Sequence, residues 1–311
     1  MSSKAPLARA LAGIVVLGSA LVLAAPALAQ QQPPANVLEE RTRQQVRLPS
    51  EAEREEALLS GETDIVLTRR ARLFTLHGDA EMVATDNAFL SGTDAVGDLF
   101  VQAQLGLGVG TRIAGRVDVF ADASVLAVRY AEESALDYAA LAGVVGARAP
   151  AGPLVLTATW QPVIVFTPEF ETRQLTTHRL RASASWPFRI GPALFEPAIH
   201  GERTIADPAD FSAWSGGAGL TMSTPLPVGA PVLMVLAVEY QRRDFDAYFP
   251  GLVGVDRRDD AVSASAGLIW RPRQWGEARL GWSWQENRST SDVNRYEAHS
   301  GRLGLSARLR F

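Results

Sequence analysis

The chain has 311 residues, 47% of them hydrophobic and 21% charged, with a formal net charge of −4 and no cysteine. Without cysteine there are no disulfides, thiolate metal sites, cysteine nucleophiles or acylated lipoprotein anchor. The mild acidity leaves no basic stripe for nucleic acid, so no nucleic-acid partner is expected.

At the N-terminus, Lys4 and Arg9 precede an uncharged run from Ala10 to Ala25, and Ala27-Leu28-Ala29 supplies a small-x-small cleavage pattern. This is the layout of a secretory signal peptide over residues 1–29. Its apolar run of about 16 residues is short of the roughly 20 that a spanning helix needs. A mature chain starting near Gln30 loses two positive charges, which moves the formal net charge from −4 to −6. No later segment has the length of a membrane helix, so any crossing of a membrane falls to strands.

Residues 30–70 form a separate stretch, opening on Gln30-Gln31-Gln32-Pro33-Pro34 and carrying helix-forming residues from Glu51 to Ser60 behind a capping Ser50. It reads as a solvated leader, or as a periplasmic arm or lumen plug that reaches a periplasmic partner through residues 36–60.

From residue 71 to 311 the sequence breaks into strand-like runs separated alternately by short and long connections, the rhythm of an all-β, transmembrane antiparallel up-and-down β-barrel. Short turns are expected near Thr111-Arg112, Pro150 to Pro153, Pro187 to Pro192, Pro225 to Pro231 and Arg271 to Gly276. Long loops are expected near Asp86 to Gly97, Arg129 to Asp137, Thr167 to Arg173, Arg203 to Phe211, Asp244 to Asp260 and Asn287 to Ser300. These connect about 12 strands, an even number that puts both ends of the barrel on the periplasmic side.

Several runs alternate with a period of two, which sends successive side chains to opposite faces. Leu99, Val101, Ala103, Leu105, Leu107 and Val109 alternate with Gln102, Gln104, Gly106 and Gly108. Val117, Val119, Ala121, Ala123 and Val125 alternate with Arg116, Asp118, Asp122 and Ser124. The apolar set is assigned to lipid and the polar set to the lumen. Between Val232 and Ala237 both faces are apolar, and periodicity does not decide the direction. Trp186, Trp270, Trp275 and Phe311 fall at periplasmic strand ends, and Tyr130, Tyr138, Phe166, Trp214 and Phe245 at outer ends, which suggests two interfacial girdles.

The lumen-facing ionisable residues are the main functional signal. The pore-lining candidates are Asp79, Glu81, Arg116, Asp118, Asp122, Arg179, Arg181, Glu196, His200, Glu239 and Arg279. Charges of both signs either select solutes in a hydrated pore or fill and stiffen a narrow barrel with ion pairs. His77, His178, His200 and His299 have no zinc-ligand spacing, so no metal or other cofactor is expected. No Gly-x-Ser-x-Gly occurs, and no serine is tied in sequence to a histidine and a carboxylate; catalytic residues are not expected and the chain is read as a non-enzyme. Gly106, Gly108 and Gly110 lack phosphate-loop spacing and read as small inward residues of a strand.

The last run sets Leu303, Leu305, Ala307, Leu309 and Phe311 against Arg302, Gly304, Ser306, Arg308 and Arg310. A terminal strand with an apolar face, a charged face and a final aromatic resembles the closing strand of a bacterial outer-membrane barrel. Leu305, Leu309 and Phe311 would then be the assembly signal read by the barrel-assembly machinery. Further pieces, Ala84-Thr85-Asp86-Asn87, Arg129-Tyr130 with Leu136-Asp137-Tyr138, and Asn287-Arg288 with Tyr296, resemble the porin-like outer-membrane β-barrels and, more distantly, the barrel domain of surface lipoprotein assembly modifiers. The segment before the barrel is too short for the helical repeats of those modifiers, and the resemblance carries over no binding residue. It implies a Gram-negative outer-membrane protein with lipid as its surroundings, most simply a channel for passive passage of small solutes. The other reading is a non-conducting barrel serving export or assembly of envelope polysaccharide or surface proteins.

Overall fold

The computed structural model describes residues 74–92, 95–113, 116–228, 230–246, 256–273 and 275–311. The expected signal peptide, the leader and the partner segment 36–60 lie outside the described residues. The strands are β1 (Phe74–Thr85), β2 (Asp98–Ile113), β3 (Val117–Tyr130), β4 (Tyr138–Ala151), β5 (Leu154–Phe166), β6 (Arg173–Ser185), β7 (Phe188–Ile190), β8 (Ala193–Asp207), β9 (Ala213–Pro225), β10 (Val232–Phe245), β11 (Arg258–Arg273), β12 (Gly276–Ser289) and β13 (Tyr296–Arg310). Neighbours pair antiparallel in chain order, and pairing of β1 with β13 and of β6 with β8 closes the sheet into a barrel of 12 strands plus the short β7. The fold is all-β, as the alternation indicates.

β7 exists because of one residue. Ser185 pairs with Ala198 and Phe188 with Phe195, so β7 continues the line of β6 along β8. Pro187 stands between them and has no N–H to give to the ladder, so the strand is interrupted there. The other strands have 12 to 16 residues, ample for a membrane that a tilted strand crosses in about 9–11.

Side-chain placement is inverted relative to a water-soluble fold. Leu105, Ile199, Leu280 and Leu305 are outward and exposed, whereas His77, Asp79, Glu81, Arg179, Arg181 and Glu202 are inward and buried. In water such an apolar surface would aggregate; in hydrocarbon it is the solvated side, and the closed ladder leaves no strand edge to satisfy.

The turns have local causes. Gly152 and Gly191 adopt φ of +64° and +59°, each followed by a proline in a two-residue hairpin. Positive φ at the first position and the fixed negative φ of proline at the second suit a type II′ turn, which only glycine makes without strain. The first short connection lies after Ile113 instead of at Thr111-Arg112, because β2 keeps its pairing with β3 as far as Ile113↔Val117.

The outer girdle also differs from expectation. Trp186, Trp270, Trp275, Phe311 and Trp214 are exposed, but Tyr138 is 5% exposed and lies inside the barrel with Tyr130 packed against its cluster. Phe245 lies under Arg257, whose guanidinium is 4.0 Å from the ring centroid. Tyr130 and Tyr138 share the inward parity of Val128 and Ala140, and the apolar cluster there gives their rings a dry contact that lipid would otherwise supply. Phe311 closes the seam: its backbone exchanges hydrogen bonds of 3.1 and 3.2 Å with Phe74, and the two rings stack at 6.1 Å.

Candidate functional site: the barrel lumen

The lumen has two unlike walls. Along β1–β6 and β8 many inward side chains are large and buried. Gln102 donates to Glu81 at 2.5 Å, and Gln104 to Ser124 at 2.8 Å. On β6, Arg179 and Arg181 approach Glu202 of β8 at 3.3 and 3.8 Å, all three nearly inaccessible to water. Toward the outer end this wall becomes apolar, with Leu126, Val128, Tyr138, Ala140, Val163, Val165 and Leu175 in one cluster. Leu136, from the loop between β3 and β4, is also fully buried.

On β9, β11 and β12 the mid-strand inward positions are small, whereas β10 and β13 contribute Glu239 and Arg302. Ser215, Gly217, Gly219 and Thr221 on β9, Ser263, Ser265 and Gly267 on β11, and Gly281 and Ser283 on β12 alternate with lipid-facing residues, and all are only half-buried. Water therefore reaches this wall. At its outer end the lining thickens into a polar collar, where Asp259 accepts from Arg257 at 2.7 Å and from Ser289 at 2.6 Å. Asn287 donates to the Asn294 carbonyl at 2.6 Å, and Gln285 to Tyr296 at 2.8 Å.

Inward glycines let histidines lie flat across a strand. His77 on β1 crosses Gly106 of β2 and donates from Nε2 to Asp122 of β3 at 2.8 Å, while Nδ1 is 3.7 Å from Asp79. A side chain at Gly106 would meet the His77 ring, and one at Gly108 would lie 2.9 Å from the Asp122 carboxylate. The same device recurs half a barrel away. His200 on β8 overlies Gly217 of β9, where a Cβ would be 2.6 Å from the ring, and its Nδ1 is 3.8 Å from Glu239 of β10. Taking β6 and β7 as one strand, β8 is the seventh of 12 around the barrel, so the two histidine–glycine–carboxylate sets face each other.

The sequence-derived candidates distribute as follows. Asp79 joins Arg279, which donates to it at 2.8 Å and to Glu277 at 2.5 Å. Asp118 accepts from Arg112 at 2.5 Å near the periplasmic end. Glu239 is 3.9 Å from Arg181, and Glu196 is half-buried on β8. Arg116 is exposed just before β3 and does not line the lumen, because the ladder of β2 and β3 runs to Ile113 and Val117. Leu305, Leu309 and Phe311 are exposed on the outer surface of β13. The sequence-based candidate set lacks two inward arginines, Arg243 and Arg302. Strict alternation from Glu239 through Gln241, and from Gly304 back to Arg302, is the signal that finds them. Among the described residues, no cluster of three or more His, Asp or Glu side chains is placed to hold a metal ion.

No family model matches the chain, and no curated protein matches it in sequence. Solved structures do resemble it. An outer-membrane channel from Pseudomonas putida F1 superposes with a TM-score of 0.51 at 10% identity, covering 77% of this chain and 96% of that one. The translocator domain of the autotransporter NalP from Neisseria meningitidis gives 0.44 at 13% identity over 83% and 95%. LpxR from Salmonella typhimurium gives 0.44 at 10% identity over 73% and 99%. LpxR is an enzyme, so the expectation of a non-enzyme is withdrawn: barrels of this kind serve both catalysts and channels, and the fold decides neither. What the comparisons and the closed sheet establish together is the architecture of an outer-membrane β-barrel.

Proposed function

We propose that the protein is a channel for passive passage of small solutes across the outer membrane of a Gram-negative bacterium, with the solute path along the β9–β13 wall. The observation that carries this reading is the run of small, half-buried inward residues there, Gly217, Gly219, Ser263, Ser265, Gly267 and Ser283, opposite a wall many of whose inward side chains are buried. A barrel built only for rigidity has no reason to keep one side of its interior small and wet while the other is packed. In this reading Leu305, Leu309 and Phe311, exposed on the closing strand, are available to the assembly machinery and then to lipid.

The test is single-channel recording of the full-length chain in a planar bilayer, beside a variant in which Gly267→Trp fills the wall. Stable conductance that falls sharply in the variant supports the path. No conductance in the unmodified chain overturns the reading in favour of a non-conducting barrel.

A further inference from the structure

We infer that the β9–β13 wall passes small anionic solutes, carboxylates or phosphates, in preference to cations, and that Arg302 and Arg243 set this preference. The inference rests on the channel reading above. Its basis is which charges on this wall are already answered. Glu277 is held by Arg271 at 3.0 Å and by Arg279 at 2.5 Å. Asp259 is held by Arg257 and Ser289 in the collar, and Glu239 faces Arg181 and His200. The carboxylates of the wall thus have cationic neighbours.

The two arginines instead make their side-chain hydrogen bonds to neutral groups. Arg302 donates to the Ser283 hydroxyl at 2.8 Å, and Arg243 to the Gln241 amide oxygen at 3.2 Å. Among the described residues neither guanidinium forms an ion pair within the 4.0 Å limit. Arg302 is held against the wall because its stem lies over Gly281, where a Cβ would come 3.0 Å from its Cγ. Both are half-buried.

Their positions cover the path. Arg243 pairs with Asp259 and belongs to the outer collar, whereas Arg302 pairs with Gly281 at mid-strand. A solute entering from the collar end meets Arg243 first and Arg302 after it. A guanidinium presents a planar fork of N–H donors that fits a carboxylate or phosphate, and a low-dielectric wall focuses its field across a narrow lumen.

The test is the reversal potential of the full-length chain in a bilayer under a potassium chloride gradient, repeated with succinate or phosphate in place of chloride. The expected result is anion selectivity, a several-fold fall in the anion-to-cation permeability ratio for Arg302→Gln, and reversal of its sign for Arg302→Glu with Arg243→Glu. The succinate and phosphate arms identify which oxyanion is better carried. Arg302→Lys keeps the charge and is expected to keep the sign, which covers the case in which the acidic variants fail to fold. A cation-selective unmodified channel, or unchanged selectivity in a conducting Arg302→Gln variant, overturns the inference while leaving the channel reading intact. Silence of the unmodified chain overturns both.

Discussion

The two walls of the lumen are made of the same element, an alternating antiparallel strand, yet one is packed and the other is wet. On the packed side, large polar side chains meet in pairs that exclude water; on the other, serine and glycine leave the space unfilled. The difference shows that alternation specifies which side chains enter a barrel, while their size and mutual fit specify whether anything else can enter with them. Substitutions on the packed side should therefore change stability, and substitutions on the small-residue side, apart from Gly217 under the His200 ring, should change permeation.

The largest effect is expected at Glu202, which is inaccessible and lies next to both Arg179 and Arg181. Removing a buried carboxylate from such a set leaves charge in a poorly solvated place, so Glu202→Ala should destabilise the barrel by about 3 kcal/mol, read from urea unfolding in detergent or vesicles. A loss below about 0.5 kcal/mol would mean that water reaches the packed wall after all.

Next is Gly106. Gly106→Val would push the His77 ring off its contact with Asp122, and overpacking of this kind costs about 1–3 kcal/mol. Gly217→Val should act in the same way on His200, and the two losses should add, because half a barrel separates the sites. Strong non-additivity in a double variant would show that the walls are coupled.

Ser265→Leu on the small-residue wall is expected to leave stability within about 0.5 kcal/mol and to lower conductance. The reverse pattern, lost stability with unchanged current, would remove the distinction between the walls.

The smallest effect concerns the outer rim. Asp246, just beyond β10, accepts from Arg203 at 2.6 Å, and the guanidinium beside it holds its carboxyl below the usual carboxylate range. A lowered folded-state pKa means that the stabilisation is present above the ordinary carboxylate value of about 4 and is lost as pH falls through the lower folded value. The pair is exposed and screened, so the contribution is expected to stay below about 1 kcal/mol. Arg203 sits 5.1 Å over the Trp214 ring, so acidification below pH about 4 should shift Trp214 emission, and Asp246→Asn should abolish that pH dependence.

Much of this was legible in the residues. The two alternating sets from Leu99 to Val109 point as their periodicity requires, and the proline- and glycine-marked turns at 152–153 and 191–192 occur where their backbone preferences put them. Outer aromatics were not, because Tyr138 and Trp214 have similar sequence surroundings and differ in whether an inward apolar cluster is there to receive the ring. The lumen lining was legible residue by residue, as inward parity, but not as partners: that His77 reaches Asp122, 45 residues away, depends on β2 offering a glycine at the register between them.

The sequence by itself determined the class of fold, a strand number of about 12 and, where the alternation is clean, the side of the sheet to which a residue belongs, since a period of two and local turn chemistry are properties of neighbours along the chain. Only the tertiary structure decided which charges answer one another, which wall is filled and that Arg243 and Arg302 hydrogen-bond to neutral groups. Those depend on register and closure across distant strands, and closure is what turns a list of inward residues into a lumen with a packed side and a wet one.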